Sequence, residues 1–236
     1  MYTEFSAQDL WTQISTPTAP LESIPLAILA AAMIVLVTFQ PTWVILRGVI
    51  TIVHEGAHAL IALVMGRKLN SIRLHSDTSG LTVSRGKPRG FGMILTAFAG
   101  YVGPTALGLV AAWVVSLGYT LAWVWAFVVI LILMLFKIRN LFGAWSLVAT
   151  GVVVGGLAWF GPEQVRVYLA YGLVALFLIG APRPVFELMR QRRSGQARTS
   201  DADALARITW LPAWAWLGIF MLVTLGGVAG GYVILR

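Results

Sequence analysis

Residues 49–65 read Val-Ile-Thr-Ile-Val-His-Glu-Gly-Ala-His-Ala-Leu-Ile-Ala-Leu-Val-Met. The run is apolar apart from Thr51 and three ionisable groups, His54, Glu55 and His58. On an α-helix, residues four apart project from one face, one turn apart. His54 and His58 can therefore take two corners of a tetrahedral Zn²⁺ site. Glu55 stands beside the first histidine, able to reach a water at the ion without being a ligand. In this H-E-x-x-H arrangement the metal acidifies the water and the glutamate takes its proton. Ionisable groups inside a membrane-type segment are costly, which makes them functional candidates. The plainer reading is polar side chains joining one transmembrane helix to its neighbours. Two of the chain's three histidines lie here.

The rest of the composition places that helix in a bilayer. Only 11% of the 236 residues are charged, against about 25% in soluble domains, and the mean hydropathy is +0.83. There is no cysteine, so disulfides and thiolate ligands are excluded. The formal charge of +8 does not indicate nucleic acid, because the basic residues lie between apolar segments, where topology accounts for them. Residues 1–23 carry Glu4, Asp9 and Glu22 but no Lys or Arg, unlike a secretory signal. They are expected to form a short tail, amphipathic around Phe5, Leu10, Trp11 and Ile14.

A spanning helix needs about 20 mostly apolar residues. Candidate spans are 24–40, 43–65, 91–116, 119–137, 141–160, 165–181 and 210–235, all in one membrane domain over 24–236. The expected fold is all-α and polytopic, with six to seven transmembrane helices and one short β-hairpin. Fourteen of the seventeen Lys and Arg fall in three segments: 67–89, 137–139 and the loop at about 182–208. By the positive-inside rule these face the cytoplasm, with the N-terminus on the same side. The expected setting is a multi-pass protein of the cytoplasmic membrane. His58 then sits about eight residues, or roughly 12 Å, from the basic end of its helix. The hairpin is read at 69–86, where Ile72 and Leu74 alternate with polar residues, Ser-Asp-Thr-Ser-Gly makes the turn, and Leu81-Thr-Val follows. It is either a plain connector or an edge for an extended substrate. His75 and Asp77 could serve as ligands or simply form a surface turn.

Together the His-Glu-Gly-Ala-His helix, a hairpin with Ser79-Gly80-Leu81-Thr82 and Arg85-Gly86, and Ala99-Gly100-Tyr101-Val102-Gly103-Pro104 resemble the M50B-like branch of the site-2 protease zinc metallopeptidases. The resemblance runs from about residue 43 to the C-terminus. It implies a polytopic intramembrane zinc protease that cuts transmembrane protein substrates within the lipid bilayer. Typical members take a third ligand from the Asp of a Leu-Asp-Gly motif, which this chain lacks. Asn140, in Asn140-Leu141-Phe142-Gly143, resembles the family's asparagine at that point but brings no carboxylate. The branch's Ser-Asp-Ala is matched by Ser200-Asp201-Ala202, so the resemblance implies Asp201 as third ligand and Asp203 after it. Read from the residues alone, Ser200 is an N-cap, with Asp201 and Asp203 in the first turn of a helix.

Three functions fit these residues. The first is an intramembrane zinc endopeptidase, with His54, His58 and an aspartate on the metal and Glu55 as base. The alternative is a catalytically silent scaffold or accessory subunit, which the missing Leu-Asp-Gly favours and the intact His-Glu-His opposes. A transporter with a buried proton relay is the third. Purified protein is expected to hold about one zinc per chain. His58→Ala should lose most of it, by metal analysis; full occupancy in a His54→Ala/His58→Ala double variant would end the zinc reading.

Overall fold

The computed structural model describes residues 7–195 and 199–236; Phe5 of the expected amphipathic tail and Arg198 of the basic loop lie outside them. Two helices, α1 (Ala7–Ser15) and α2 (Ser23–Thr38), precede α3 (Gln40–Val64), which carries the His-Glu-His stretch. The hairpin strands β1 (Lys68–Leu74) and β2 (Gly80–Arg85) follow. Then come α4 (Phe91–Ser116), α5 (Thr120–Leu135), α6 (Leu141–Phe160), α7 (Glu163–Ile179), α8 (Pro182–Arg193), α9 (Asp201–Ile208) and α10 (Ala213–Leu235). Five helical stretches are long and apolar enough to cross a membrane: α3, α4, α6, α10 and the broken rod α7–α8 from Glu163 to Arg193. The apolar α2 and α5 have 16 residues each, about 24 Å of helix, short of a bilayer core of about 30 Å.

Small residues set how closely α3 meets α4. A Cβ on Gly103 would lie 2.2 Å from the Cβ of Ala57, and one on Gly92 would lie 3.3 Å from that of Met65. The two helices thus run antiparallel, with the start of α4 beside the end of α3. α10 lies parallel to α4, since Gly227 abuts Thr105 and Gly230 abuts Leu109. Pro104 within α4 is buried. Having no N–H, it leaves the Gly100 carbonyl without its helical donor.

The N-terminal segment lies at the end of the bundle opposite the basic hairpin. Thr18 donates to the Gly118 carbonyl through its backbone N–H and its hydroxyl, each at 2.9 Å. Arg166, near the start of α7, donates to Gln13. This corrects the expected placement of the N-terminus on the basic side. The physical reason is the corner at Phe39, which has extended backbone (φ −76°, ψ 119°). α2 and α3 look like two spans, yet together they carry the chain across once, because α3 ends beside Gly92 at the basic end of α4. Among the described residues the chain traverses the bundle six times, by α2–α3, α4, α5, α6, α7–α8 and α10, and five of the helical stretches are long and apolar enough to cross a membrane.

The hairpin forms where expected. β1 and β2 pair antiparallel, and a register shift between Leu69 and Ser71 brings Leu69, Ile72 and Leu74 onto one buried face. The outer edge of β1 is covered: Ile72 donates to the Lys137 carbonyl at 2.9 Å and accepts from Arg139 N–H at 3.0 Å. In this cysteine-free chain, single cysteines at Ser15 and Glu163 should be labelled from one side of the membrane, and cysteines at Ser84 and Ser194 from the other. Labelling of Ser15 from the Ser84 side would refute the single passage by α2 and α3.

Candidate metal centre

α3 presents His54, Glu55 and His58 to a cleft of about 500 Å³ walled by β2, α4 and the start of α9. His58 Nδ1 donates to the Thr96 carbonyl of α4 at 2.6 Å. That bond fixes the tautomer and turns the Nε2 lone pair inward. His58 Nε2 lies 3.1 Å from His54 Nε2. Asp201 Oδ2 lies 3.1 Å from His54 Nε2 and 3.2 Å from His58 Nε2. Among the described residues this is the group of His and carboxylate atoms placed to hold a metal ion. In a regular tetrahedron with ligands about 2.0–2.2 Å from Zn²⁺, ligand atoms stand about 3.3–3.6 Å apart. The observed triangle is within a few tenths of an ångström of that edge, and two imidazoles and a carboxylate suit the ion chemically.

Asp201 reaches the histidines because its neighbours perform the capping. Ser200 and Asp203 form a reciprocal capping box at the start of α9. Arg192 of α8 grips both oxygens of Asp203, at 2.6 and 2.7 Å. Burial works against the Asp203 charge, but the Ser200 hydroxyl and the Arg192 guanidinium more than offset it and hold the carboxyl below its usual range. Ala202 and Leu205 anchor α9 against Ala97 of α4 and Phe220 of α10. The N-cap reading of Ser200 and the meeting of Asp201 with the histidines therefore hold together.

The other candidate residues lie elsewhere. Asp203 is occupied by the cap and by Arg192. His75 and Asp77 form the hairpin turn, where Asp77 accepts from Ser79 N–H at 3.0 Å and from its hydroxyl at 2.6 Å. Asn140 clamps the end of β1: its amide donates to the Leu74 carbonyl at 2.6 Å and its oxygen accepts from Leu74 N–H at 3.2 Å. Gly143 makes room for that clamp, since a Cβ there would lie 2.7 Å from Asn140 Oδ1.

Several site residues went unassigned by sequence reasoning. Thr82 donates its hydroxyl to Glu55 Oε2 at 2.6 Å, and Thr51 donates to the Thr78 carbonyl at 2.9 Å. Both bonds tie the hairpin to α3. Gly80 faces Glu55 so closely that a Cβ would lie 2.5 Å from its carboxylate. Tyr101 packs against His54 in a T-shaped ring contact, with centroids 4.8 Å apart. At Gly100 a Cβ would lie 2.3 Å from His58 Nε2 and 2.6 Å from His54 Cε1. The adjacency of Gly100 and Tyr101 in the Ala-Gly-Tyr run was the available signal.

A family model described as Peptidase M50B-like matches residues 26–231. No curated protein and no solved structure is matched. Gly100→Ala is expected to displace both imidazoles and weaken zinc binding by about 10- to 100-fold, measured by competition with a chelator. Gly156→Ala, which meets nothing within 4 Å, is the control. Unchanged zinc affinity in Gly100→Ala would show that the imidazoles do not need that space.

Proposed function

The chain belongs to the Peptidase M50B-like family, and on that premise we propose that it is a zinc-dependent endopeptidase acting on membrane-embedded protein substrates. The observation that carries this reading is the convergence of His54 Nε2, His58 Nε2 and Asp201 Oδ2 beside the buried carboxylate of Glu55. His54, His58 and Asp201 would hold Zn²⁺. When bound, the ion supplies a Lewis acid that acidifies water and polarises a carbonyl. Glu55 accepts the proton of the attacking water as the water oxygen bonds to the scissile carbonyl carbon. It then delivers that proton to the leaving nitrogen as the C–N bond breaks. Thr82 orients the Glu55 carboxylate for both transfers.

The hairpin supports the choice of substrate. Residues 137–139 cover one edge of the sheet, while β2 makes backbone hydrogen bonds only to β1 among the described residues. Its open edge lines the cleft, and Leu81 and Val83 are exposed along it. An extended peptide can add there as a further strand, with backbone bonds supplying affinity and apolar side chains supplying selectivity. A transmembrane segment that locally unwinds would present such a strand. With the basic segments facing the cytoplasm, water would enter from that side.

The test uses purified protein and a synthetic single-span peptide with a helix-breaking centre, reconstituted together. Glu55→Gln should keep zinc and lower cleavage by about 10²- to 10⁴-fold, because an amide cannot accept the proton. Asp201→Asn preserves capping propensity but is a poorer ligand, and should lose both zinc and cleavage. Wild-type cleavage rates in Glu55→Gln would overturn the assignment of the base; normal zinc in Asp201→Asn would remove Asp201 from the ligand set.

A further inference from the structure

The mechanism above leaves one polar group in the cleft unused. Tyr101 projects from α4 between the metal-site helix and α10. One side of its ring stacks on Phe220, with centroids 4.9 Å apart at 27°. It meets the His54 ring in a T-shaped contact at 89°. Two aromatic neighbours therefore fix the ring. Its hydroxyl makes no hydrogen bond with any described residue, although Tyr101 lines the cleft beside His54, Glu55 and Asp201. The charged groups acting on it are Asp201, Arg47, Glu55 and Glu187, and the first three of these line the same cleft. At membrane depth an unpartnered hydroxyl is costly. Tyr101 is only partly buried and lines the cleft, where water can satisfy a hydroxyl that no described residue engages.

We infer that Tyr101 is a catalytic residue whose hydroxyl donates a hydrogen bond to the oxygen of the scissile carbonyl as that oxygen becomes negative. This rests on the peptidase reading. When the water oxygen bonds to the carbonyl carbon, the C=O π pair moves onto the carbonyl oxygen and Glu55 takes the water's proton. Tyr101 keeps its own proton and gives only a hydrogen bond. A preorganised donor aimed at developing charge in a water-poor site is worth far more than one in bulk water. The ion would polarise the same oxygen, but neither His54, Glu55 nor His58 is assigned as a hydrogen-bond donor to it, and the amide of Asn140 is committed to Leu74.

Tyr101→Phe keeps the ring, its stack on Phe220 and its T-shaped contact with His54, and removes only the donor. The variant should hold wild-type zinc, show KM for the single-span peptide within about twofold, and lose roughly 10²-fold in kcat. Affinity for a phosphinic peptide, whose tetrahedral oxygen stands for the charged carbonyl oxygen, should fall in step with kcat/KM. A kcat within twofold of wild type would overturn the inference. So would loss of zinc in Tyr101→Phe, which would make the hydroxyl a support for the ligands. If the wild-type protein holds zinc but cleaves nothing, the peptidase reading fails by itself. The phosphinic peptide then decides for Tyr101: weaker binding by the variant upholds the donor, and equal binding overturns it.

Discussion

A carboxylate and two imidazoles held 3.1–3.2 Å apart among apolar helices are tolerable only if they neutralise one another or share a cation. That constraint organises the molecule. Asp201 must come 143 residues along the chain to meet His58, so α9 is drawn into the bundle, which no transmembrane helix would need to do alone. Its apolar residues Ala202 and Leu205 complete a small core with α4, α8 and α10. On the opposite side, α4 must approach α3 closely enough for the Thr96 carbonyl to accept a hydrogen bond from His58 Nδ1, which the glycines at 100 and 103 permit. Each contact brings its element to one point on α3.

How much of this was legible depends on range along the chain. The His54–His58 pair and Glu55 are local, separated by turns of one helix, so spacing alone exposes them. The hairpin was legible for the same reason, through alternation and a turn five residues long. Asp201 was reached only through the Ser-Asp-Ala resemblance, because nothing local distinguishes a capping aspartate from a ligand. The structure shows why the two readings compete on paper: Asp203 performs the capping and Asp201 is released from it. Asn140 came into consideration through its resemblance to the family's asparagine, although it brings no carboxylate. Its commitment to Leu74 follows from a pairing with β1 that spans 66 residues.

Topology was harder for a different reason. Hydropathy measures whether a segment prefers lipid and says nothing of where the segment turns. α2 and α3 are both apolar, and a sequence window counts each as a crossing. The corner at Phe39 is a single residue of extended backbone, marked in the sequence by Pro41 in the first turn of α3, which shows a break between helices but not that the two share one crossing. The clue lay in polar side chains of the N-terminal segment, Gln13 on α1 and Thr18 after it. Thr18 and Gln13 could pair only with whichever bundle end lay nearest, and they pair with Gly118 and Arg166.

The contact between Thr82 and Glu55 makes the register of the hairpin a chemical variable. Side chains of β2 alternate, so Gly80 and Thr82 turn one way while Leu81 and Val83 turn the other. A slip of one residue would exchange a hydrogen-bond donor for an isobutyl or isopropyl group in front of the carboxylate. The base is thus sensitive to parity: an even displacement of the strand keeps a small or polar residue against it, and an odd one seals it under hydrocarbon. The bulge near Leu69, the Asn140 clamp on Leu74 and the bonds to residues 137 and 139 hold that parity from the far side of the sheet. A residue about 85 positions along the chain from Glu55 therefore helps set the surroundings of its proton.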